Sequence, residues 1–100
     1  MVIEWLRFAV SPGFRGRFIR CDREIWTATL APFPGFLSKS VWSSAEDDAG
    51  VLLWIEWASW EDWWNVPQAL LRETEARFAA AVHPARYELR EKRGFEVRDG

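Results

Sequence analysis

The 100 residues carry 13 Lys and Arg against 15 Asp and Glu, a formal net charge of −2 with the two signs interspersed. A chain without a basic stripe has nothing to track a phosphate backbone, so nucleic acid is excluded as a partner. No stretch approaches the roughly 20 apolar residues that span a bilayer, and Met1-Val2-Ile3-Glu4 opens without a basic segment and a long apolar run. A cytoplasmic protein with no membrane partner, one domain over residues 1–100, is expected. The feature to explain is the eight Trp, since each brings a large apolar body and one N–H that seeks an acceptor.

Val2 to Val10 alternates, with Val2, Leu6, Phe8 and Val10 on one parity and Ile3, Trp5, Arg7 and Ala9 on the other, the period of a strand. Ser11-Pro12-Gly13 ends it. From Phe14 the apolar residues recur at helical spacing through Phe18, Cys21, Ile25 and Trp26 to Leu30, while Arg15, Arg17, Arg20, Asp22 and Arg23 supply a wet side. Pro32-Phe33-Pro34-Gly35 breaks that helix. Phe36 to Trp42 reads as a second strand, joined through the polar segment Ser43 to Gly50 to a third at Val51 to Ala58. Ser59, with Asp62 three residues on, marks a helix start, and a short helix through Trp63 and Trp64 follows. Pro67 opens a longer helix with Leu71, Thr74, Phe78 and Val82 on its core side, and His83-Pro84 stops it. Tyr87 to Val97 is the last strand.

The order strand, helix, strand, strand, helix, strand is the split βαβ arrangement of a ferredoxin-like plait, an α+β fold with an antiparallel sheet and helices on one face. In that topology the first and third strands are central neighbours. Leu6, Phe8, Leu53 and Ile55 then face the helices, which leaves Trp5, Arg7, Trp54, Glu56 and Arg90 on the opposite face, with Arg7 and Glu56 as a cross-strand ion pair. A sheet face carrying two Trp calls for cover, and the same face of a second copy supplies it across a two-fold axis. A homodimer is expected.

These residues resemble the dimeric α+β barrel superfamily that contains antibiotic-biosynthesis monooxygenases and haem-degrading monooxygenases. The resemblance spans nearly the whole chain and rests on Val2 to Val10 followed by Pro12-Gly13, on Pro34-Gly35-Phe36-Leu37, and on Trp57-Ala58-Ser59 leading into Trp63. Val2-Ile3-Glu4-Trp5-Leu6, Asp22-Arg23-Glu24-Ile25-Trp26-Thr27 and Thr74-Glu75-Ala76-Arg77-Phe78 look more narrowly like a bacterial subfamily prominent in cyanobacteria. The resemblance implies sheets packed into a homodimeric barrel and a small organic ligand between helices and sheet. It also implies, for several members, oxidation of aromatic substrates by O₂ with no metal or flavin. The haem-degrading branch uses an Asn, a Trp and an iron-ligating His whose places fall near Leu6, Val66 and Ala76, and none of the three matches.

Within this frame Trp26, Trp42, Trp57 and Trp63 are the pocket-lining candidates, because helix and strands bring them around one cavity and an aromatic cleft with few polar groups suits a small molecule. Asp22 and Glu24 precede Trp26, and at spacing two at most one of them faces a cavity with it, as a base beside the aromatic wall. Trp60 and Trp64 are expected to be partly exposed, as a gate or a partner contact. Cys21 reads as a small buried hydrophobe and His83 as a residue serving a helix C-terminus. One His and one Cys on separate helices do not make a metal site, and no phosphate loop, nucleophile elbow or Ser-His-Asp set can be assembled. The leading expectation is a homodimer binding a small apolar or aromatic molecule, as a cofactor-independent monooxygenase. The alternatives are a non-enzymatic interaction module and a haem or tetrapyrrole binder.

Overall fold

The computed structural model of the chain describes residues 1–99. Its elements are β1 (Val2–Val10), α1 (residues 15–30), β2 (Phe36–Ser43), β3 (Gly50–Trp57), α2 (Trp60–Trp64), α3 (Gln68–Val82) and β4 (Tyr87–Glu96). The four strands form one antiparallel sheet in the order β2-β3-β1-β4, with the helices on one face. This is the expected ferredoxin-like plait.

Strand parity decides the two faces. Leu6 lies opposite Leu53 and Phe8 opposite Val51, so the even residues of β1 and the odd residues of β3 share the helix side. There Val10, Val51 and Leu53 pack with Phe18 and Cys21 of α1 and Phe78 and Val82 of α3. A second cluster at the other end joins Val2, Ile55 and Trp57 to Leu30 and Val66. Cys21 is a buried free thiol within the first cluster, the place its spacing predicts. The opposite face carries Trp5 directly across from Trp54.

Two details of that outer face differ from expectation. Arg7 does not pair with Glu56, which lies opposite Ile3; its guanidinium reaches Glu91 Oε1 at 3.2 Å instead. The cause is the β1–β4 register, which sets Glu91 across from Arg7 and then shifts, so that Arg90 has no β1 residue opposite it. Such a bulge turns its extra residue out of the ladder, and Arg90 is half exposed and pairs with Glu88.

The turn into β2 requires a glycine. Gly35 has φ +85, and a Cβ there would land on the carboxylate of Asp62. Asp62 is fixed in turn, because Ser59 Oγ accepts from its backbone N–H at 3.1 Å and caps α2. Gly35→Ala is therefore expected to destabilise the fold by at least about 1 kcal/mol, measurable as a lowered urea midpoint, with a larger loss if the cap of α2 gives way. An unchanged midpoint would mean that the turn tolerates a side chain.

Candidate functional site

A cavity of about 850 Å³ lies between the sheet and the helices. Its floor is one row of residues across all four strands, since Lys39 sits opposite Ile55, Ile55 opposite Glu4, and Glu4 opposite Gly94. Strands lie roughly 4.8 Å apart, so Lys39 and Glu4 flank Ile55 with backbones roughly 10 Å from each other. A lysine and a glutamate thus occupy positions on the apolar side of the sheet, where the surrounding lining is Leu6, Phe8, Leu53 and Trp57.

The roof comes from α1, and its winding explains which residues reach the cavity. Phe18, Asp22, Trp26 and Leu30 all line it and are spaced by four. In a regular α-helix four residues overshoot a turn by about 40°, so such a row drifts round the helix. Residues Asp22–Thr27 are instead wound as a π-helix between two α-helical stretches, and the wider π-turn cancels the drift. Asp22 and Trp26 are held over the same cavity as a result, while Glu24, on the far side of that turn, is exposed.

Asp22 is almost completely buried, and its Oδ2 lies 2.8 Å from Nζ of Lys39, itself 4 % exposed. The contact is an ion pair without the alignment of a good hydrogen bond. On the floor, Glu4 Oε1 accepts the indole N–H of Trp57 at 3.1 Å. Burial raises the Glu4 carboxyl above its ordinary range, and the Trp57 N–H, Lys92 and Lys39 pull it back only in part. Asp22 is likewise raised by burial, which outweighs the opposing pull of the Lys39 charge. Across the cavity the Tyr87 hydroxyl donates to Glu75 Oε2 at 2.5 Å. Burial and then that acidic partner push the phenol well above its usual range.

The raised carboxyls have a measurable sign. A group whose pKa is higher in the folded state binds more protons there, so stability falls as pH rises from the ordinary carboxylate range through the folded pKa. Glu4 therefore contributes a decline in stability that starts near its ordinary 4.5 and runs upward. Glu4→Gln is expected to flatten that decline in urea melts taken between about pH 4 and pH 7. An equal slope in the variant and the parent would show that Glu4 titrates as it does in the unfolded chain.

The mouth is built from tryptophan. Trp60 stacks on Trp63 at 5.7 Å between ring centres and on Trp64 at 5.5 Å. Lys92 Nζ lies 5.8 Å from the Trp63 ring centre, within cation–π range. The stack rests on Gly94, where a Cβ would come within 2.9 Å of Trp60 and 3.1 Å of Trp63. A bare backbone on β4 admits the ring edges of both indoles. Trp64, 63 % exposed, is the outer member, matching the partial exposure that its charged neighbours predict.

Of the sequence candidates, Trp26, Trp57, Trp63 and Asp22 line the cavity together. Trp42 and Glu24 do not. Trp42 fails on parity: Val41 lies opposite Leu53 on the helix side, so Trp42 turns to the outer face, where it stacks on Trp54 at 4.8 Å. Glu4, Lys39, Glu75, Tyr87 and Lys92 are lining residues that the sequence analysis left unassigned. For Glu4 a signal existed, because it is the one charged residue on the apolar parity of β1.

A haem iron finds no ligand of the usual kind here. The cavity lining contains no imidazole or thiolate, and the Tyr87 phenol is engaged by Glu75. Leu6 and Val66 line the cavity, Ala76 is exposed, and His83 caps the exposed end of α3. Among the described residues no group of three or more His, Cys, Asp or Glu is placed to hold a metal ion. Nor is any helix among them long and apolar enough to cross a membrane.

No protein-family model matches the chain, and no curated protein matches it in sequence. Solved structures do match in fold. SnoaB of Streptomyces nogalater, a cofactor-independent oxygenase, superposes with a TM-score of 0.75 at 18% identity, over 99% of this chain and 94% of that one. The ActVA-Orf6 monooxygenase of Streptomyces coelicolor, solved in complex with nanaomycin D, gives 0.64 at 19% identity, over 98% and 92%. A dimeric ferredoxin-like protein from an uncultured marine organism gives 0.75 at 10% identity, over 100% and 97%. The fold is that of the antibiotic-biosynthesis monooxygenase-like ferredoxin-fold proteins.

Proposed function

We propose that the chain is a homodimeric protein that takes a small, largely aromatic molecule into the cavity and oxidises it with O₂ without a bound cofactor. The observation that carries this reading is the cavity itself, with indole walls and the Asp22–Lys39 and Glu4 charges converging on its floor. Its 850 Å³ is in the range of small-molecule sites. The fold shared with a cofactor-independent oxygenase supports the chemistry, and the fold shared with a monooxygenase solved in complex with nanaomycin D supports a small organic ligand.

A reaction of this type needs no reductant beyond the substrate. An activated methylene loses both hydrogens, one oxygen atom of O₂ becomes the carbonyl oxygen, and the other leaves as water. The protein's part is to orient the rings, exclude bulk water and accept the first proton. Trp26, Trp57 and Trp63 supply the walls, and Glu4 is the carboxylate available for the proton.

The dimer rests on the outer face. Trp5, Trp54 and Trp42 gather there, and the buried indole N–H of Trp54 has no acceptor among the described residues. A second copy would cover the rings.

The test is oxygen uptake by metal-free, flavin-free protein across a panel of fused-ring phenols, quinones and ketones with an activated methylene, with tryptophan fluorescence to report binding. Saturable quenching together with O₂ consumption supports the proposal. Quenching alone would leave a binding module, and neither signal across the panel would overturn it.

A further inference from the structure

Resting on that reading of the cavity, we infer that Lys39, held by Asp22, and Glu4 form a subsite for an acidic hydroxyl. Lys39 receives the ligand oxyanion and Glu4 takes its proton. The ligand class is an aromatic molecule with a phenolic or enolic O–H at its inner end, and ethers of the same skeleton lack the feature that the floor recognises.

The geometry carries this in three steps. The ammonium of Lys39 has three N–H donors, and Asp22 is its one partner among the described residues, which leaves donors for a ligand. Asp22 is fixed by the π-turn of α1, so the ammonium is anchored from above while its backbone belongs to β2. Glu4 stands on the same floor row beyond Ile55, and its Oε1 is fixed by Trp57. A hydroxyl lying over Ile55 thus has a carboxylate on one side and an ammonium on the other. Ionisation is a balanced exchange: the O–H bond breaks, Glu4 becomes the carboxylic acid, and the oxyanion pairs with Lys39. Local charge is conserved, so the step adds no net charge to a poorly solvated site.

A purely structural ion pair is the competing account. It explains Asp22 with Lys39 but not a third ionisable group on the same apolar row. It also gains little, because burying two charges costs about what their attraction returns.

The test uses the full chain with 7-hydroxycoumarin, whose phenol and phenolate absorb at different wavelengths, and 7-methoxycoumarin as the ether. The parent protein is expected to bind both and to lower the apparent pKa of the bound phenol by about one unit, a tenfold preference for phenolate. In a weakly buffered solution this ionisation releases no proton, since Glu4 keeps it, whereas Glu4→Gln releases one per ligand bound. The double variant Asp22→Asn with Lys39→Met, chosen to preserve packing, is expected to bind both coumarins equally and to leave the phenol unshifted. An unshifted phenol in the parent, or an equal shift in the double variant, overturns the subsite while the pocket stands. Binding of neither coumarin overturns the pocket itself, and the subsite with it.

Discussion

Lys39→Met is expected to lower the unfolding free energy by about 3–5 kcal/mol, and Asp22→Leu by a similar amount, because each leaves an uncompensated charge where water cannot reach it. The side chains of Asp22 and Lys39 are 1% and 4% exposed, and no second cation contacts Asp22 nor a second acid Lys39 among the described residues. The double replacement Asp22→Asn with Lys39→Met removes both charges and keeps the volumes, and is expected to recover most of the loss. A double-mutant cycle by urea denaturation measures the pair directly, since residues in contact couple by more than the few tenths of a kcal/mol typical of distant sites. Additive losses would mean that water or another group neutralises each charge separately. The cycle bears on function as well, because a stable double variant with an unchanged cavity is what allows the hydroxyl subsite to be tested apart from folding.

The way this pair escapes a reading of the sequence is instructive. Strand parity places Trp5 and Trp54 on the outer face and Leu6, Phe8, Leu53 and Ile55 on the inner one, because the plait topology makes β1 and β3 neighbours whose apolar parities must share a side, and the register agrees. Parity within β2 alone does not decide between Val41 and Trp42, since both are apolar, and Trp42 is a pocket candidate only through the expectation that its strand borders the cavity. The register with β3 resolves it the other way. The partner of Arg7 depended on a β4 register that shifts at a bulge, which no local pattern announces. Spacing two between Asp22 and Glu24 shows that at most one of them faces the cavity with Trp26, but not which; Asp22, whose polar neighbours place it on the wet side of the helix, is turned inward and buried by a π-turn that no local pattern announces. Lys39 became visible only when the third dimension brought β2 beneath α1. The fold is written in local periodicity, whereas the site is written in contacts between elements far apart in the chain.

The second large effect belongs to the outer face. Trp42 is 51% exposed and stacks on Trp54, which lies across from Trp5. In an isolated chain this leaves an indole surface open to water, and the buried Trp54 N–H has no acceptor among the described residues. Trp42→Glu places a charge at the edge of that surface without touching the cavity or either core cluster. The stability of the isolated fold should therefore change little. Association should change greatly: a two-fold axis puts the new charge into the interface twice, and removing one stacked aromatic anchor costs at least about 2 kcal/mol, a factor of about 30 in dissociation constant. Sedimentation equilibrium across a wide concentration range reads this directly, with Trp42→Phe as the variant that keeps an aromatic ring and is expected to keep the dimer. A parent protein that is monomeric throughout, or a Trp42→Glu variant that associates as tightly as the parent, would leave the tryptophan face needing a different partner. A dimer that dissociates only in the glutamate variant would tie the outer-face Trp5, Trp42 and Trp54 to assembly and leave Trp26, Trp57, Trp63 and Trp64 to the cavity, assigning seven of the eight tryptophans in the sequence to one side of the sheet or the other.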